Sequence, residues 1–140
     1  MRIDRFTAKM QEALQESQTL ASGFQQQEIT AEHLLLALLR QPDGLARPIL
    51  EQLNVDVQSI ENQLEAALVQ RPKVTGGAVD QYLGNELRSL LNEAETEMSR
   101  LKDEYVSVEH VLLALAESKG KAGDILRTAG ATRAKLMQAL

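Results

Sequence analysis

The chain has 140 residues and a mass of 15.5 kDa, is 44% hydrophobic but only 3% aromatic, and sets 15 basic against 20 acidic residues for a net charge of -5. The absence of cysteine excludes disulfide frameworks, thiol nucleophiles and cysteine-held metals, and a pI of about 5.1 gives no electrostatic footprint for nucleic acid. No apolar run approaches the ~20 residues of a membrane-spanning helix, so the expected setting is cytoplasmic, with no membrane partner.

Leucine (23 residues) and alanine (17) supply most of the apolar content. Both are strong helix formers, so the composition predicts an all-α protein. The first predicted helix carries Phe6, Met10, Ala13, Leu14 and Leu20 or Ala21 on one face, with Asp4 as its N-cap and Gly23 as its stop. A second begins at the N-cap Thr30 with Glu32 in its first turn, and the run Leu34 to Leu39 makes it apolar on nearly every side, the mark of a buried central helix. Gln41-Pro42-Asp43-Gly44 breaks it. A short helix from about Leu45 to Leu53 follows, then a fourth capped by Asp56 and carrying Val57, Ile60, Leu64, Ala67 and Leu68. Residues 71–79, with Pro72 and the Gly76-Gly77 pair, read as a linker. Beyond it Leu83, Leu87, Leu90, Leu91, Ala94, Met98 and Leu101 mark a long amphipathic helix.

An internal repeat organises these elements. Ile29-Thr30-Ala31-Glu32-His33-Leu34-Leu35-Leu36-Ala37-Leu38 recurs as Val106-Ser107-Val108-Glu109-His110-Val111-Leu112-Leu113-Ala114-Leu115, a constant offset of 77. The same offset carries Phe6, Met10, Ala13 and Leu14 onto Leu83, Leu87, Leu90 and Leu91, and with one residue deleted Ile49-Leu50 maps onto Ile125-Leu126. A helix apolar all round is not covered by its own small unit. The expected architecture is therefore two pseudo-twofold-related four-helix repeats packed into one globular domain, repeat 1 over about 1–70, the linker at 71–79 and repeat 2 over about 80–140. The last predicted helix stops uncapped at Leu140, while its counterpart runs past Leu64 to about Leu68, so the chain is expected to be the front of a longer protein.

Catalytic signatures are sparse. No G-x-x-x-x-G-K-[ST] occurs, so no P-loop nucleotide is expected on these residues. His33 and His110 each follow a glutamate, but a zincin helix needs a second histidine four residues on, where Ala37 and Ala114 stand, so no metal site is expected. The plain reading of the histidines is packing near a helix start, and that of Glu32 and Glu109 is a first-turn acid facing the helix dipole. Glu93, Glu95 and Glu97 are expected on a solvated face, and Phe6, Phe24, Tyr82 and Tyr105 in core or seam packing.

The duplicated T/S-x-E-H-L-L-x-A-L block, present in each half of the chain, resembles the Clp N-terminal domain of the Hsp100 unfoldases, and the likeness runs the whole length. Asp4-Arg5-Phe6-Thr7, the run Arg71 to Gly77 and the run Ile125 to Ala131 are similar to the ClpB branch rather than to ClpA or ClpC. This resemblance implies the accessory domain of a hexameric, ATP-driven disaggregase working with the DnaK chaperone system. ATP would then bind in AAA+ modules outside this chain, with no cofactor on the domain itself and the isolated domain a monomer. It implies capture of exposed hydrophobic stretches of unfolded or aggregated polypeptide, with Thr7, Asp103 and Glu109 as polar substrate-binding positions and Leu91 as an apolar one on the groove. His110, in the same first turn as Ser107 and Glu109, belongs to that expected patch, although it and Glu93 stand where familiar relatives carry leucine. The repeat itself offers a second reading of Leu91, as a core residue matching Leu14. Two other functions remain in view: a ClpA- or ClpC-like domain docking an adaptor for a protease, and a small all-α enzyme using Glu32, Glu109 and the histidines.

Overall fold

The computed structural model describes residues 3–76 and 80–140. A 3-10 turn (Ile3–Arg5) leads into α1 (Ala8–Gly23), β1 (Glu28–Ile29), α2 (Ala31–Arg40), α3 (Ala46–Gln52) and α4 (Val57–Val69). The second half repeats the helix order, with β2 (Tyr82–Leu83) ahead of α5 (Asn85–Arg100), then α6 (Val108–Glu117), α7 (Lys121–Thr128) and α8 (Arg133–Ala139). The fold is thus all-α in its layers, two four-helix repeats about a shared aliphatic core.

The two central helices are buried as their composition requires: every residue of α2 from Ala31 to Leu39 is buried, and so is α6 from His110 to Ala116. Each packs on the long helix before it, α1 on α2 and α5 on α6, and the halves meet through α4 against α7 and its related pair, α3 against α8. Extended pairing, which the helical composition does not announce, also ties them. β1 and β2 run parallel with Ile29 opposite Leu83, and a bridge joins Phe6 to Val106. Under the offset of 77 Phe6 corresponds to Leu83 and Ile29 to Val106, so the two pairings are one contact made twice across the pseudo-twofold axis.

Local details revise several expectations. Thr7, not Asp4, caps α1: its Oγ1 accepts the Met10 N–H at 3.2 Å, because Phe6 is held extended against Val106 and the helix starts only after it. Leu83 is likewise strand rather than helix. Gly23 is the last residue of α1, but the turn that follows is made by Gln25 at φ 59, matched after α5 by Lys102 at φ 61. Tyr82, paired with Glu28 in the strand, and Tyr105, next to the bridged Val106, are exposed rather than packed, while Phe6 is buried and Phe24 meets the His33 ring edge-on. Of the expected linker, Gly77, Ala78 and Val79 lie outside the described residues. The part before them is held down by a Val74 N–H bond to the Gln25 carbonyl at 2.8 Å and by Arg71, which pairs with Glu28 at 3.3 Å and Glu32 at 3.4 Å.

Candidate functional site

The repeated block builds the same helix start twice. In repeat 1 the Thr30 N–H donates to His33 Nδ1 at 2.9 Å, which leaves the ring proton on Nε2, and Nε2 lies 2.8 Å from Gln26 Oε1. In repeat 2 the Ser107 N–H donates to His110 Nδ1 at 2.9 Å, and Nε2 lies 2.7 Å from Asp103 Oδ2. Histidine here takes the part that Glu or Gln plays at the third position of a capping box. Both rings are buried with both nitrogens occupied, so neither is poised as a metal ligand or a general base. Burial, with the Arg71 charge adding to it, pushes His33 from 6.5 down to about 4.

Thr7 lies beside Val106 where the halves meet, and Asp103 and His110 bond to each other on either side of Val106 in sequence. The Thr7 N–H donates to the Val106 carbonyl at 3.0 Å, and the chain from Asp103 to Val106 leads into the Ser107 cap that His110 completes. Glu109 is half-buried in the first turn of α6, and Asp103 is exposed. Leu91 is not part of this surface: it is 0% exposed, on the α5 stripe that faces the core, as the match to Leu14 allows. His110, 2% exposed, presents its ring to Asp103 rather than to solvent.

A groove of about 570 Å³ runs between α5 and α6 and is closed at one end by Arg133 from α8. Leu90, Leu113 and Ala114 form its floor, and Glu86, Glu93, Glu117 and Lys119 line its mouth. Leu90, the neighbour of Leu91, is the leucine that meets it. Glu97, expected on a solvated face, is instead 3% exposed beneath the groove, because Arg133 reaches it from α8 at 2.7 Å and Arg100 from one turn along α5 at 2.8 Å. Burial raises the Glu97 carboxyl, but the hydrogen bonds from Arg133 and then Arg100 outweigh it and hold the group below its ordinary value.

Repeat 1 has the related groove, about 370 Å³, lined by Glu12, Ala13, Glu16, Ala37, Arg40, Gln41 and Pro42. Each of these residues shifted by 77 lines the larger groove, so both cavities follow from one motif. The alanine of the repeated block, Ala37 or Ala114, supplies the missing side-chain volume. The smaller groove is bridged at its edge: Lys9 Nζ donates to the Pro42 carbonyl at 3.1 Å, and Gln41 Nε2 donates to the Lys9 carbonyl at 2.8 Å. Glu86 and Ser118 stand at the related places in repeat 2 and make no such cross-link there.

Two copies of one capped helix, packed about a pseudo-twofold axis and each preceded by a 16-residue helix, match a known family in sequence as well as shape. The profile of the Clp repeat (R) N-terminal domain matches residues 5–129. The chain belongs to the Clp N-terminal domain family. It is 38% identical over 143 residues to the chaperone protein ClpB of Bacillus cereus and 41% identical over 140 residues to that of Vibrio cholerae, each alignment covering 100% of this chain and 16% of the relative. The chain therefore spans about a sixth of the length of these ClpB chaperones. Among solved structures, the N-terminal domain of the ClpV1 ATPase from Escherichia coli superposes with a TM-score of 0.81 at 25% identity, covering 96% of this chain and 83% of that one. The Hsp104 N-terminal domain from Candida albicans gives 0.75 at 20% identity, with coverage of 96% and 87%, a likeness of fold. Among the described residues no helix is long and apolar enough to cross a membrane and no cluster of side chains has the make-up of a metal site.

Proposed function

We propose that this Clp N-terminal domain captures exposed hydrophobic segments of unfolded or aggregated proteins in the α5–α6 groove, for threading by ATP-driven AAA+ modules of a ClpB-like disaggregase. The observation that carries this reading is the contrast between the two related grooves. The one in repeat 2 is open over Leu90, Leu113 and Ala114, and the one in repeat 1 is tied across by Lys9 and Gln41. A shallow apolar floor without directional demands suits weak, sequence-tolerant binding. Thr7, Asp103 and Glu109 add polar contacts near the Val106 junction. His110 acts by holding Asp103, and Leu91 by supporting the floor from within the core. Homology to ClpB chaperones supports the wider setting, a cytoplasmic homohexamer cooperating with the DnaK system, in which this domain is a monomeric appendage.

The second reading is docking of one folded partner, an adaptor as in ClpA or ClpC. In its favour, a solved ClpV N-domain of the same fold is described as a complex with a VipB peptide, at 22% identity and a TM-score of 0.73. Titration of the domain with a chemically unfolded model protein separates the two. Capture predicts weak, saturable binding that competes with unrelated apolar peptides and is weakened about tenfold in Ala114→Leu. Absence of any binding to unfolded protein by the unmutated domain would sink the capture reading.

A further inference from the structure

The α5–α6 groove is unevenly charged. At its Arg133 end both guanidiniums, Arg100 and Arg133, are hydrogen bonded to Glu97, and the Glu117 carboxylate also acts on Arg133 through its charge. Along the rest of its length Glu86, Glu93 and Glu117 are exposed carboxylates that make no hydrogen bond or ion pair among the described residues, with Lys119 as the single other cation on the lining. Glu86 also faces the Glu28–Glu32–Arg71 group of repeat 1. Burial and the Glu32 carboxylate raise its pKa, Arg71 opposes them, and Glu28 raises it further, so the field at this end is negative. Gly120 leaves room for the Glu86 carboxylate, whose Oε1 lies 1.5 Å from where a Cβ at that position would fall.

We propose that the preferred occupant of this groove is an apolar polypeptide segment that carries a lysine or arginine within about one helical turn of its aliphatic anchor. The anchor lies over Leu90 and Ala114, and the cation meets Glu86, Glu93 or Glu117 on the rim. This rests on the capture reading above and adds its selectivity. Apolar contact supplies affinity with little discrimination, whereas unpaired rim charges discriminate between partners and speed their encounter.

The test uses three labelled peptides of equal length, each with the same leucine-rich stretch flanked by Lys, Gln or Glu, titrated into the 140-residue chain by fluorescence anisotropy. Two screened rim pairs give the Lys peptide roughly a fivefold advantage over the Gln peptide, with the Glu peptide weakest. In the triple variant Glu86→Gln/Glu93→Gln/Glu117→Gln, which alters only exposed residues, and in 0.5 M salt, the three affinities should converge on that of the Gln peptide. Equal affinities for the unmutated chain would overturn the charge selection and leave capture standing. No binding of any peptide would overturn both. An advantage that survives the triple variant would place the basic contact elsewhere, and a dimer dispersed by the peptides would make a second copy of the chain the occupant; either result ends the proposal.

Discussion

His110 Nε2 lies 2.7 Å from the exposed carboxylate of Asp103, whereas the related His33 Nε2 lies 2.8 Å from the buried amide oxygen of Gln26. The offset of 77 carries Gln26 onto Asp103 as well as His33 onto His110, so the duplicated histidine anchors an internal amide in one half and a surface acid in the other. Asp103 thus has a structural duty besides any contact with substrate. Asp103→Ala strands the Nε2–H of a buried ring and should cost about 1–2 kcal/mol in urea unfolding. Asp103→Asn keeps an acceptor for that hydrogen and should stay within about 0.5 kcal/mol of the parent chain. If Asn weakens capture of unfolded protein as much as Ala does, the carboxylate itself contacts substrate; if only Ala weakens it, Asp103 works through the helix start.

His33 makes stability depend on pH. Its folded pKa of about 4 lies below its ordinary 6.5, so the unfolded chain takes up a proton in that interval and the folded chain resists it. The contribution is complete above pH 6.5 and is lost as pH falls toward 4, a loss on the order of 3 kcal/mol. His33→Gln retains an acceptor for the Thr30 N–H and does not titrate. Unfolding free energies measured from pH 7.5 to 4 should converge as pH drops, the variant being the less stable at pH 7.5. A constant difference across that range would show that His33 is charged or solvated in the folded chain.

The helices, their order and the two-fold repeat were legible in the amino-acid sequence because apolar periodicity and cap residues are local signals. Thr30 and Asp56 cap α2 and α4, as their position before an apolar run requires. What stayed hidden depends on contacts between distant segments. Phe6 and Leu83 fit the helical stripe of the residues after them, but each is drawn into a pairing with the opposite repeat. Glu97 sits near two other glutamates in a run that looks solvated, and its burial rests on Arg133, 36 residues away, together with Arg100. Of the candidate site, Asp103 and His110 bond to each other and Thr7 bonds to Val106 nearby in the same segment, whereas Leu91 faces inward and Leu90 lines the groove. The groove did leave one trace, the alanine at the same place in both copies of the block.

The Glu97 network yields a prediction about Arg133. Arg133→Met removes the better of two partners from a buried carboxylate, with Arg100 remaining on the solvent side. Leaving that charge under-satisfied should cost about 1–3 kcal/mol at neutral pH. A carboxyl held below its ordinary value stabilises the fold above that value and loses the effect as pH falls through it. The deficit of Arg133→Met should therefore be greatest near pH 7 and shrink below pH 4. The double change Glu97→Leu/Arg133→Met should recover most of the loss, since an apolar pair of similar volume removes the buried charge. Failure of the double variant to recover would mean that the network holds α8 in place by geometry that apolar packing does not replace.

Ala114 gives the most direct access to the groove. Ala114 is buried at the edge of the core but lines the groove, so the longer side chain of Ala114→Leu extends toward open volume and should change stability by less than about 1 kcal/mol, in contrast to overpacking a filled interior. The added isobutyl group should occupy the space between Leu90 and Leu113 and lower affinity for unfolded protein by about tenfold, the loss of one anchor contact. The related Ala37→Leu is the control, because Ala37 lies under the groove that Lys9 and Gln41 already bridge. It should cost about 1–3 kcal/mol of stability while leaving capture unchanged. Equal loss of binding in both variants, at equal folded fraction by circular dichroism, would mean that the two grooves act together and that the bridge in repeat 1 opens when substrate arrives.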